Sequence, residues 1–143
     1  MEGSIKIDPH EPVLFHNLAI GYIINHQLDA AERAARSAVD LDRTNTRMRT
    51  VLGAILVLEH KYTAEASADL EPESQEFPVV GLLAAEALIN RHELSKARLY
   101  VDAYLSSGEQ GYRNYAERWL HYIDQSLATS AATIPSPTPP LPQ

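Results

Sequence analysis

The sequence predicts an all-α protein: a solenoid of about three stacked helix–turn–helix units, closed by a further amphipathic helix. Three observations predict it. Residues 12–127 are rich in Ala, Leu, Glu and Arg, which are strong helix formers, and no alternating β-branched run marks a strand. Apolar residues recur at helical spacing in successive stretches. The chain also repeats itself. Ile5-Lys6-Ile7-Asp8-Pro9 is answered 34 residues later by Val39-Asp40-Leu41-Asp42-Arg43, and Leu18-Ala19 by Leu52-Gly53, while Leu52 and Ala84 are 32 apart. A period near 34 marks helical hairpins that stack to build a continuous core.

In the first unit, residues 12–45, Leu14, Phe15, Leu18, Ala19 and Tyr22 share one face of a first helix. Leu28, Ala31, Ala35, Ala38 and Val39 do the same in a second. The small residues Ala31 and Ala35 let two helix axes approach closely. Phe15-His16-Asn17-Leu18-Ala19-Ile20-Gly21-Tyr22 resembles the aromatic-x-x-Leu-small-x-x-Tyr pattern of helix A in the tetratricopeptide repeat family, and Leu28-Asp29-Ala30-Ala31 resembles the start of its helix B. Asp42 stands where that family has Asp-Pro, with Arg43 replacing the proline. The second unit, 46–77, keeps Leu52, Gly53 and Leu56 in register but has Arg49 for the aromatic. Pro72 cuts its helix B short. The third, 78–111, matches through Ala84, Ala85, Leu88, Leu94, Ala97 and Val101, with Gly81 at the aromatic position. The resemblance implies a right-handed superhelix whose A helices line a concave groove.

The ends carry their own expectations. Residues 1–11 read as the trailing end of a helix B, or as an extension that mimics one. The first unit then lacks a neighbour on its N-terminal side, and such a face tends to self-associate or bind. Tyr112, Tyr115, Ala116, Trp119, Leu120, Tyr122 and Ile123 fall at helical spacing, predicting a capping helix over 109–127. Core and cap packing is the commoner use of such a stripe, and a ligand-stacking platform the rarer one. Residues 128–143 are uncharged and Pro-rich, and read as a disordered tail. Two P-x-x-P sequences lie in it, without a flanking Arg or Lys to orient docking on an SH3-like groove.

Composition narrows the function. The net charge of −7 argues against nucleic acid as the main ligand, because neutralising phosphates needs clustered Lys and Arg. It also discourages docking on anionic membrane. The absence of cysteine excludes disulfides and thiolate chemistry. No apolar run is long enough to span a bilayer, and residues 1–10 lack the apolar centre of a secretory signal.

Candidate chemistry is sparse. His26, His60 and His92 occupy the same turn in each unit, where the family has Gly. That position needs a left-handed backbone, which His tolerates better than most residues. Neighbouring repeats hold equivalent residues at least about 8–10 Å apart, too far to share one zinc ion. Glu71, Glu73 and Glu76, with Asp69 nearby, read as a solvated loop rather than a catalytic pair. No nucleophile, phosphate-loop or metalloprotease motif occurs. No catalytic residue, cofactor or metal is therefore expected.

The resemblance implies a non-catalytic protein-interaction scaffold that binds a peptide or partner subunit. Its groove-facing candidates are Val13, His16, Asn17, Ile20 and Ile24 from the first unit, Arg47, Thr50, Ala54 and Val57 from the second, and Val79, Leu82, Glu86 and Ile89 from the third. Ile20→Asp or Leu82→Asp is then expected to weaken binding without loss of helicity. Arg47 and Arg49 are available to an acidic partner. No Lys lies on the first helix to grip a C-terminal carboxylate as some family members do. The alternatives are self-assembly through the N-terminal repeat face, and an accessory region of a larger enzyme, transport or secretion assembly.

Overall fold

The computed structural model describes residues 11–133, with side chains through residue 130. Among the described residues there are seven α-helices and no strand: α1 (Pro12–Ile24), α2 (Leu28–Leu41), α3 (Thr46–Leu58), α4 (Ala64–Leu70), α5 (Pro78–Asn90), α6 (Leu94–Ser106) and α7 (Arg113–Thr133). A 3-10 turn, Glu71–Glu73, follows α4. The residues expected to form an N-terminal helix end and most of the Pro-rich tail lie outside the described residues.

Local chemistry sets the helix boundaries. Pro12 and Pro78 open α1 and α5, where a missing N–H costs nothing. Asn45 caps α3 by accepting from the Met48 N–H at 3.0 Å, and Thr63 caps α4 through Ala66 N–H at 3.1 Å. The three hairpin turns pass through His26, His60 and His92 at φ 62°, 61° and 63°. All three adopt the left-handed conformation expected of them, which reverses the chain after each A helix.

Helices pair as hairpins, α1 with α2, α3 with α4 and α5 with α6, and the hairpins stack through α2–α3 and α4–α5 contacts. The A helices also touch in series, α1 to α3 and α3 to α5. Two clusters form the core. One joins α1–α4 and one side of α5 around Ala31, Ala35, Leu52, Ile55, Leu56, Leu70, Ala84 and Ala87. The other joins α5–α7 around Leu88, Ala97, Val101, Tyr104, Ala116 and Ile123. Gly53 marks the tightest approach. A Cβ there would lie 2.8 Å from Leu70 Cγ and 2.9 Å from the Ala66 carbonyl oxygen.

Two expectations need correction. The closing helix begins at Arg113 rather than 109, because Gly108 at φ 86° turns the chain. There the Tyr112 N–H donates to the buried Tyr104 hydroxyl at 2.8 Å, and Arg113 donates to the Leu105 carbonyl at 3.2 Å. It then continues to Thr133, so residues 128–133 are helix rather than tail. Leu127 packs on the second core cluster, and the alanines that follow favour continuing the helix.

The acidic stretch is also not simply solvated. Asp69 is buried and meets Arg49 at 3.4 Å, Glu73 meets Arg47 at 3.0 Å, and Glu71 meets Lys96 at 3.2 Å. Burial raises the Asp69 pKa against the opposing pull of Arg49. Glu71 also hydrogen-bonds Tyr100, whose phenol burial pushes up to about 12.

Candidate functional site

The A helices present one stripe of equivalent positions. Val13, Ile20 and Ile24 on α1 correspond to Arg47, Ala54 and Leu58 on α3, and to Val79, Glu86 and Asn90 on α5. None of these nine is buried. Ile24 is 70% exposed, an unusual state for an isoleucine in a folded unit. Asn17 completes the stripe on α1 and is exposed. Leu58 is half exposed and was missing from the candidates, although its place 34 residues after Ile24 identifies it.

Three candidates lie elsewhere. Thr50, Val57 and Leu82 are 6%, 1% and 5% exposed. Thr50 donates to the Thr46 carbonyl at 3.0 Å. Val57 joins the first core cluster and Leu82 the second. The reason is geometric. α1 leaves a broad face free, whereas α3 is flanked by α1 and α5 and keeps only a narrow stripe. Thr50 and Leu82, the equivalents of His16, therefore pack against neighbours, and so does Val57, the equivalent of the half-buried Ile23 rather than of Ile24. His16 and Ile89 are half-buried at the edges of the stripe. Burial, and then the charge of Arg47, lower the His16 pKa, so the imidazole stays neutral near pH 7.

The expected role of the two arginines also changes. The Arg47 guanidinium binds both Glu73 oxygens at 3.0 and 3.2 Å and lies 5.2 Å from the Phe77 ring centre. Arg49 donates to the Arg43 carbonyl and to Asp69. Both cations are thus engaged within the chain, which leaves the stripe mainly apolar.

At its C-terminal end the stripe meets α7. Glu86, Ile89 and Asn90 of α5 and Tyr115 and Trp119 of α7 line an open cavity of about 320 Å³. The Tyr115 and Trp119 rings lie 6.5 Å apart at 60°. The Tyr62 hydroxyl donates to Glu86 Oε2 at 2.7 Å and also lies 2.7 Å from His60 Nδ1. Burial and that carboxylate push the Tyr62 phenol up to about 12. Packing was the expected use of the aromatic stripe on α7, and it accounts for only part of it. Ala116 and Ile123 are fully buried and Leu120 and Leu127 pack against the same core cluster, but Tyr112, Tyr115 and Tyr122 remain about half exposed.

Solved structures share this arrangement. One is the first tetratricopeptide repeat domain of Spaghetti (RPAP3), bound to the HSP90 peptide SRMEEVD. It matches at TM-score 0.67 and 18% identity over 85% of this chain and 97% of that one. The fold is that of a tetratricopeptide repeat array. The Yersinia enterocolitica type III secretion translocator chaperone SycD shares it, at TM-score 0.64 and 18% identity over 86% of this chain and 90% of that one. SycD in complex with a peptide of the translocator YopD matches at TM-score 0.62 and 17% identity, over 79% and 92% of the two chains. No protein-family model matches the chain, and neither does any curated protein.

Within this repeat array, no group of three or more His, Asp or Glu among the described residues is placed to hold a metal ion. No described helix is long and apolar enough to cross a membrane.

Proposed function

We propose that the chain is a non-catalytic interaction module that holds an extended peptide segment of a partner along the α1–α3–α5 face. The observation that carries this is the stripe of Ile20, Ile24 and Leu58, apolar yet exposed, with the half-buried Ala54 between them. Open apolar surface of this kind marks interaction sites, and side chains at regular spacing suit the alternate anchors of an extended peptide. Peptides accompany two of the structural neighbours, which supports the reading. The HSP90 peptide bound to RPAP3, SRMEEVD, carries three acidic residues in its last four. Here Arg47 and Arg49 are already paired, so aliphatic anchors fit the stripe better than a carboxylate terminus.

An array of overlapping aliphatic peptides of about a dozen residues tests this, read with the intact chain and its variants. Ile24→Asp is expected to weaken binding roughly tenfold or more with the helical circular dichroism unchanged. Leu82→Asp is expected to lose helicity, since it places a charge in the core. Unchanged affinity in Ile20→Asp and Ile24→Asp variants would remove this face from consideration.

A second reading rests on a different surface. Leu14 and Leu18 are 36% and 42% exposed on the N-terminal side of α1, whereas Leu52 and Ala84, the equivalents of Leu18, are buried. Phe15, Leu18, Tyr22, Ala30 and Ala34, with Arg33 and Ser37, line a shallow hollow of about 210 Å³ between α1 and α2. That face supports stacking against a second copy or a preceding unit.

A further inference from the structure

The cavity at the α5–α7 end of the stripe has a chemistry that the rest of the stripe lacks, and it refines the peptide-binding reading on which it rests. Its walls are the Tyr115 and Trp119 rings and the Ile89 side chain, and its one ionised lining group is the Glu86 carboxylate. Tyr62 occupies Glu86 Oε2, and no cation among the described residues pairs with Glu86. The Asn90 amide nitrogen is committed to the Glu86 carbonyl at 2.8 Å, which leaves the Asn90 side-chain oxygen to accept. No Lys or Arg lines the cavity.

Two aromatic rings beside a carboxylate with no cation partner among the described residues offer a cation two attractions. The ring quadrupoles favour positive charge within about 6 Å of their centres, Trp most strongly, and the carboxylate adds a charge-assisted hydrogen bond. The chain itself illustrates the first effect nearby. The Arg118 guanidinium, outside the cavity lining, lies 5.2 Å from the Tyr115 ring centre. The net charge of −7 further favours a positively charged approach.

We propose that this cavity is a subsite for a basic side chain, arginine or lysine, of the peptide whose aliphatic residues lie along the stripe. The bound segment then has a defined polarity of composition: apolar anchors over α1 and α3, and a cation between α5 and α7. The planar guanidinium fits best, because it stacks on Trp119 or Tyr115 while its edge donates to Glu86 and Asn90.

Trp119 is the single tryptophan, so its emission reports on this cavity alone. The test titrates the full chain with three blocked aliphatic nonamers that differ at one central residue, arginine, norleucine or glutamate, each also followed by anisotropy of a labelled copy. The arginine peptide is expected to bind roughly tenfold tighter than the norleucine peptide, with the glutamate peptide weakest. Added salt narrows the gap. Glu86→Gln keeps an acceptor for the Tyr62 hydroxyl and is expected to erase most of the arginine-over-norleucine preference, read as the ratio of the two affinities in the same variant. Tyr115→Leu, at a half-exposed position, is expected to reduce the preference without loss of helicity. Equal affinity for arginine and norleucine peptides overturns the subsite and leaves the apolar stripe standing. A preference that survives Glu86→Gln and Tyr115→Leu places the cation elsewhere and also overturns it. If no peptide binds, the peptide-binding reading falls and takes the subsite with it.

Discussion

The Glu59 carboxyl lies at the seam between the first two hairpins, hydrogen-bonded to the Glu32 carboxyl and 3.5 Å from Lys61 Nζ. Lys61 and Arg36 sit 2.7 and 2.8 Å from the two Glu32 oxygens, and Arg36 also pairs with Glu65. The two acids divide accordingly. Burial pushes Glu59 up from 4.5 to about 7, and its bond to Glu32 adds to the rise. Glu32 is itself penalised by burial, but its hydrogen bonds to Lys61, Glu59 and Arg36 outweigh that and bring it to about 2. The pH dependence follows by linkage. Folded Glu59 keeps its proton up to about pH 7, whereas the unfolded chain releases it near 4.5. Its contribution is therefore full below 4.5 and is lost as pH rises through 7. The Glu32 contribution is full above 4.5 and is lost as pH falls toward 2. The Tm is expected to fall between about pH 5 and about pH 8, and Glu59→Gln is expected to flatten that fall. Thermal melts at several pH values check this, and an unchanged slope in the variant would assign the titration to another group.

At the scale of the helix, packing overrides intrinsic preference in both directions. Glycine is a poor helix residue, costing about 1 kcal/mol relative to alanine, yet Gly53 lies inside α3. It is needed because α4 approaches so closely that a Cβ would overlap the Ala66 carbonyl oxygen. Gly53→Ala is therefore expected to lower the urea midpoint although it improves helix propensity. The net cost of the overpacking is of the order of 1–3 kcal/mol. A raised midpoint would mean that α4 can shift away. The same seam shows what the sequence carried. The 34-residue echo of Leu18-Ala19 in Leu52-Gly53 located α3, and Pro72 located the early end of α4. The far end of α7 was less visible, because an Ala-rich stretch after a core residue reads equally as fraying helix or as tail. What holds it is Leu127 packing on the second core cluster, which the helices of the last hairpin and α7 assemble together.

For the whole molecule the two ends of the array differ. At the C-terminal end α7 covers Val101 and Tyr104, leaving both fully buried. At the N-terminal end Leu14 and Leu18 stay open among the described residues. Light scattering across a concentration series is expected to show mass above 15.9 kDa at high concentration, and Leu18→Glu is expected to restore the monomer. A monomer at every concentration would remove self-association as the use of that face.

Much of this protein was determined by sequence alone: the helical class, the repeat period, the hairpin turns at His26, His60 and His92, and the apolar stripe along α1. These depend on residue chemistry and on spacing within one helix, and both are local. Which stripe residues stay free on α3 and α5 was decided only by tertiary structure, because flanking helices bury Thr50, Val57 and Leu82 while sparing Ala54 and Leu58. The occupation of Arg47 by Glu73 and the meeting of Glu86 with Tyr115 and Trp119 were decided there too. Those pairings join residues about 26 and 30 positions apart, and only stacking the hairpins brings such side chains within reach of each other.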